Sequence, residues 1–167
     1  MTFTKSIRTA LPAVVLGLLA LGLTSTSAFA TTTTTTFTVT AGVGNVCTVT
    51  ATNLNFYTVV TTVANTATST ITVTCTLNDV YTVALSAGDS GVETARYMQG
   101  INLGTHHLTY ALYNNAGMTV NWGTAAGTVG GTGNGSAQNL TVYGRIPVQA
   151  APPTDNYSDT ITVTVTY

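Results

Sequence analysis

Two cysteines, Cys47 and Cys75, one histidine pair, His106-His107, and the carboxylates Asp79, Asp89, Glu93, Asp155 and Asp159 are the side chains here most able to do chemistry. The cysteines lack a CxxC spacing or a nearby histidine that would make them metal ligands, so a single disulfide is the natural reading for an exported chain. Neighbouring residues on a strand point to opposite faces, so His106 and His107 cannot both reach one metal, and a surface or strand-entry role is expected. A calcium site takes about six to eight oxygens from a carboxylate-rich loop. Asp155 and Asp159 fall short of that and are expected to serve turns and solubility. Asp89 and Glu93 lie in a turn-rich stretch with nothing to separate their pKa values as an acid–base pair needs. No Gly-x-Ser-x-Gly elbow occurs, and neither a serine nor a cysteine is paired with a positioned histidine. No enzyme, cofactor or metal is expected. Trp122, Tyr113 and Tyr143 could make a sugar-binding platform, but alternating aromatics in sandwich strands belong more often to the core.

The composition narrows the class further. Lys5 and Arg8, the apolar run Ala13–Leu23, and small residues at Ala28 and Ala30 read as a secretory signal over residues 1–30. Removing it leaves 137 residues, enough for one domain with a real core. Arg96 and Arg145 then face five carboxylates, a net charge of −3, and no lysine remains. Nucleic-acid binding and polybasic membrane docking both need clustered cations, so neither partner is expected. The apolar run is shorter than the roughly 20 residues of a membrane span, so no membrane insertion of the mature chain is expected.

The elements that must carry these residues are strands. Period-two alternation predicts them at Phe37–Val43, Val46–Ala51, Thr70–Thr76, Val80–Ala87, Leu108–Tyr113, Met118–Trp122, Asn139–Arg145 and Ser158–Tyr167. Turn signals between them point to an antiparallel sandwich. Gly123–Gly135 reads as a flexible loop, since no Gly-x-x-x-x-Gly-Lys is present, and Thr31–Thr36 reads as a low-complexity tract. The closing phrase "SDTITVTVTY" places Ile161, Val163, Val165 and Tyr167 on one face and threonines on the other. Read as the final strand, its far edge carries no lysine, proline or bulge, the usual guards against aggregation. Either earlier strands pair it on both sides, or its edge is filled from elsewhere. The opening phrase is a candidate filler, because Phe37, Val39, Ala41 and Val43 alternate with Thr38, Thr40 and Gly42. It could add to its own domain or, by β-augmentation, to a neighbour's.

The phrases "CTVTATNLNFYTV" from Cys47, "STITVTCT", "YTVALSAG", "ARYMQG", "LTYALYNN", "NWG", "TVYGRIPVQ" and "NYSDTITVTVTY" together resemble the spore coat protein U domain family, which includes subunits of archaic, Csu-type chaperone-usher pili. Two positions depart from the family pattern. Tyr57 stands where glycine is common after Asn-Phe, and Asp155 stands where glycine is common ahead of Tyr-x-Asp. The resemblance implies an all-β, incomplete immunoglobulin-like antiparallel sandwich completed by donor-strand exchange, with Cys47 and Cys75 disulfide-bonded. It implies residues 31–44 as donor segment, with Phe37, Val39, Ala41 and Val43 inserted, and residues 45–167 as pilin domain. The acceptor strand carries Ile161, Val163, Val165 and Tyr167. The implied partners are identical or related pilins, a periplasmic chaperone and an outer-membrane usher. The implied setting is export through the periplasm to a cell-surface fibre for adhesion and biofilm formation. The alternatives are a secreted β-sandwich binding module and a spore or outer-coat structural protein.

Overall fold

The computed structural model describes residues 29–167, and the expected signal sequence up to Ala28 lies outside the described residues. The chain divides after Thr40 into two units. Of the first, residues 29–40 are described; they take no regular secondary structure and are exposed. In the second, ten strands begin at Cys47. One antiparallel sheet has the order β1 (Cys47–Ala51), β2 (Asn65–Cys75), β8 (Gln138–Ile146) and β6 (Ala111–Tyr113). A second has β10 (Val163–Thr166), β3 (Val80–Leu85) and β7 (Val129–Thr132). A short ribbon pairs β5 (His107–Thr109), β4 (Tyr97–Gly100) and β9 (Tyr157–Ser158). The fold is all-β, with one three-residue 3-10 turn among the described residues, at Gly88–Ser90. Among the described residues no helix is long and apolar enough to cross a membrane.

Alternation sorts the side chains. In β2, Ile71, Val73 and Cys75 are buried while Thr70, Thr72 and Thr74 face outward, and Tyr81, Val83 and Leu85 of β3 meet them from the other sheet. Trp122 is fully buried, and its indole N–H donates to the Val83 carbonyl at 3.0 Å. A disulfide joins Cys47 to Cys75, which lie directly opposite in the β1–β2 register.

Several elements differ from the sequence reading. β2 starts at Asn65 rather than Thr70, because Ala67 and Ser69 occupy inward positions without a strong apolar signal. The supposed loop Gly123–Gly135 contains β7, whose Gly131 lies opposite Tyr81. A Cβ there would stand 2.5 Å from the Tyr81 ring, so what reads as flexibility is close packing. Met118–Trp122 is not a strand. Met118 closes a turn with positive φ, its amide bonded to the Asn115 carbonyl at 2.9 Å, and only Asn121 bridges to Tyr113. Leu108–Tyr113 and Ser158–Tyr167 are each interrupted, at Tyr110 and at Asp159–Thr162, where the chain passes from the ribbon into a main sheet. β4 is an added strand.

Candidate functional site

Among the described residues β1 pairs only with β2, and β10 only with β3. The hydrogen bonds flanking each pair fix which backbone groups are spent. Thr76 N–H donates to the Val46 carbonyl at 3.0 Å and Thr52 N–H to the Thr70 carbonyl at 2.9 Å, so alternate residues of β1 bond β2. Cys47, Val49 and Ala51 therefore aim their N–H and C=O groups at the open edge. On β10, Ser86 N–H donates to the Thr162 carbonyl at 3.0 Å, which leaves Val163 and Val165 aimed outward in the same way. The two strands approach each other without pairing.

Between them lies a cleft of about 520 Å³. Its floor is the core itself: Ile71, Leu85, Tyr110, Leu112 and Val142. Leu54, Phe56, Met98, Ile161 and Val163 form its half-buried walls. Val49 shares the inward face of β1 and lies opposite the fully buried Val73, yet it is 38% exposed. A core-facing valine left this open marks missing cover rather than a solvent face. Leu54 and Phe56 reach the wall because β8 has a glycine beneath them: a Cβ on Gly144 would lie 2.8 Å from each side chain. The turn that aims Phe56 inward is held by Tyr57, with φ 55°, whose amide donates to Asn55 Oδ1 at 2.7 Å. A left-handed residue there gives a physical reason for the glycine common at this position.

Ile161, Val163 and Val165 are half-buried; Ile161 and Val163 line the groove, while Val165 packs against the core. Tyr167 lies past the end of β10 and is 55% exposed, so it adds nothing to the groove wall. Residues Thr31–Val46 form no strand, and Phe37, Val39 and Val43 are 86%, 81% and 93% exposed.

The polar residues singled out in the sequence are dispersed. His107 stacks on Tyr97, ring centroids 3.9 Å apart, and His106 is exposed. Asp155 accepts hydrogen bonds from the amides of Asn102, Leu103 and Asn156 and from the Asn102 side chain. Desolvation works against its charge, but these donors outweigh it and hold its pKa below the ordinary 3.8. Glu93 takes the hydroxyl and amide of Thr124, which lower its pKa from 4.5. The sulfurs of Cys47 and Cys75 lie near the Asp79 carboxylate but are bonded to each other, so they offer no thiolates. Asp79 is bound by the Asn45 side chain at 2.8 Å. Tyr113 and Tyr143 are cross-strand neighbours on the outward face, whereas Trp122 is inside.

Sequence reasoning missed two buried polar residues, Arg96 and Tyr110. Arg96 is fully buried, and its guanidinium donates to the carbonyls of Leu85, Ser86, Glu93 and Trp122 and to Asn121 Oδ1. Burial pulls its pKa down from the ordinary arginine value, with Tyr110, Glu93 and Asp159 acting the other way. Burial, and then the bond to Asp159, push the Tyr110 phenol far above 10.0, so it stays protonated.

Such an edge-open sandwich invites comparison with known proteins, and residues 33–164 match the Spore Coat Protein U domain. The chain belongs to that family. The match takes in β1 to the start of β10, both walls of the groove included. No curated protein matches the chain. Among solved structures, the spore coat U fold of this chain is similar to a chain in the CsuC-CsuE chaperone-tip adhesion subunit pre-assembly complex from archaic chaperone-usher Csu pili of Acinetobacter baumannii, with TM-score 0.58 and 23% identity. That likeness covers 74% of this chain and 40% of the other, so it speaks for the fold.

Proposed function

We propose that the chain is a non-catalytic structural subunit of a chaperone-usher pilus, which polymerises when one copy's N-terminal segment enters the groove of the next. The observation that carries this reading is the pair of facing edge strands, β1 and β10, with unspent backbone groups on either side of a cleft whose floor is the hydrophobic core. The segment Phe37–Val43 is its complement: uncharged, alternating, exposed and unpaired. Burying Phe37, Val39 and Val43 would contribute roughly 5 to 9 kcal/mol of gross hydrophobic stabilisation before ordering costs. Since the entering strand becomes part of its neighbour's fold, release would require partial unfolding, and the joint would persist. A periplasmic chaperone would cover the groove during export, an outer-membrane usher would catalyse the exchange, and the product would be a cell-surface fibre serving adhesion and biofilm formation.

The test is electrophoresis of the exported protein without heating. Ladders that resist SDS and collapse to a single band on boiling are expected. Deleting Thr31–Val43 should abolish the ladder while leaving binding to a chaperone intact. A truncated chain that still polymerises overturns donor exchange, and a full-length chain that stays a stable monomer points to a secreted binding module instead.

A further inference from the structure

An empty acceptor groove is under pressure to close, because Ile161 and Val163 on its wall and Leu112 and Val142 on its floor gain by meeting one another. We infer that Tyr110 and Asp159 are positioning residues that keep the groove open until a strand arrives, an inference that rests on the acceptor reading above. Each stands where the chain leaves the ribbon for a main sheet, Tyr110 between β5 and β6 and Asp159 after β9 on the way to β10. The Tyr110 hydroxyl, in a residue only 5% exposed, donates to Asp159 Oδ2 at 2.6 Å. Asp159 Oδ1 accepts the amides of Asp89 at 2.9 Å and Thr160 at 2.7 Å. The start of the β10 segment is thereby bolted to the groove floor at one point.

A second line of bonds ties the same floor to β3, the sheet partner of β10. The Tyr110 amide donates to the Arg96 carbonyl at 3.0 Å, and the buried Arg96 guanidinium holds the carbonyls of Leu85 and Ser86 at the end of β3. The Ser86 hydroxyl in turn accepts the Thr162 amide at 2.9 Å. Wall, floor and supporting strand thus form one polar circuit that includes no group from an incoming strand. A charge-assisted bond in the interior is strong and directional, whereas the collapse it opposes is not directional. Holding the acceptor in shape beforehand lowers the ordering cost of entry, so the circuit acts on how fast a strand is taken up.

Tyr110→Phe keeps the ring and removes the bolt, Asp159→Asn keeps an acceptor for it, and Asp159→Ala removes it from the other side. The exported full-length chain, dissociated by heat and refolded at high dilution, is offered a labelled peptide with the sequence of Thr36–Gly44. Uptake rate, release rate and thermal midpoint are recorded. Loss of a hydrogen bond to a charged group predicts uptake slower by about tenfold in Y110F and D159A, with release unchanged and D159N in between, because its one oxygen can serve Tyr110 or the Asp89 and Thr160 amides but not both. Should Y110F fail to fold, the contrast between D159A and D159N carries the same comparison. Wild-type uptake rates in both Y110F and D159A overturn the inference, as does a slowing matched by faster release and a lower midpoint, which is ordinary loosening. If the wild-type chain takes up no peptide, the acceptor reading itself falls, a result distinct from either.

Discussion

Replacing Tyr57 by glycine is expected to stabilise the fold by about 0.5 to 1 kcal/mol, and the size of the gain follows from the local backbone. Tyr57 holds φ 55°, a left-handed conformation that costs an L-residue roughly 1 to 2 kcal/mol. Glycine removes that cost but returns about 0.5 to 1 kcal/mol through the greater freedom of its unfolded chain. The tyrosine ring offsets little, since the residue is 87% exposed, and the amide bond to Asn55 Oδ1 survives the change. For a domain of this size the net gain raises the melting midpoint by roughly 2 to 5 °C, measurable by circular dichroism or calorimetry. Tyr57→Ala keeps the backbone strain and loses only the ring, so its midpoint should stay close to wild type. A glycine variant that melts at or below wild type would refute the reasoning, because the ring would then be contributing packing that its exposure denies.

Breaking the disulfide by Cys47→Ser with Cys75→Ser, 28 residues apart, should lower stability by about 3.5 kcal/mol in denaturant titrations through loss of loop closure. Stability should also fall at both ends of the pH range. Glu93 and Asp155 have folded pKa values below their ordinary 4.5 and 3.8, so their contributions are complete above those values and vanish as pH drops through the lower folded ones. The Tyr110 phenol is shifted the opposite way, so its contribution is complete below pH 10.0 and declines as pH rises beyond it. Melting curves of Glu93→Gln and Tyr110→Phe should accordingly show a shallower acid limb and a shallower alkaline limb. Native protein should resist trypsin, because Arg96 is fully buried and Arg145 sits in β8 between two paired strands, while residues 29–167 hold no lysine. Rapid cleavage at Arg145 without unfolding would show that β8 opens readily.

What the sequence made legible is what alternation encodes. Thr70-Ile71-Thr72-Val73-Thr74-Cys75 could be nothing but a half-buried strand, and Val163 and Val165 could be placed on an inward face by counting in twos. Alternation is silent where the inward residue is small. Ala67, Ser69 and Gly131 are inward or closely packed yet carry no apolar signal, so the start of β2 and all of β7 were hidden. It is silent also on where a strand must change sheets, since Tyr110 and Asp159 interrupt runs that look continuous. The groove was legible as an unguarded edge, but its depth depends on Leu54 and Phe56 folding over Gly144, contacts between segments about 90 residues apart that no local pattern records. Arg96 is one of only two cations after residue 30, and nothing in the local pattern says that its charge is answered by the backbone carbonyls of Leu85, Ser86, Glu93 and Trp122.

The open edges and the scarcity of charge belong to the same physical problem. A free strand edge is normally guarded by lysine, proline or an inward charge because it will pair with whatever strand comes near. Any such guard on β1 or β10 would also bar the strand that the groove of the proposed fibre has to admit, and neither strand carries one. Solubility must then come from elsewhere, and the outward rows Thr48-Thr50 on β1, Thr70-Thr72-Thr74 on β2 and Thr164-Thr166 on β10 supply hydroxyls where other proteins place charges. Hydroxyls keep a surface wet without mutual repulsion, whereas like charges on identical copies would oppose close approach at every joint of a long polymer. Substituting lysine at Val163 or Val49 would thus separate the two demands: the monomer should become more soluble and slower to associate, while a chain that still assembled at the wild-type rate would show that these edges are not where copies meet.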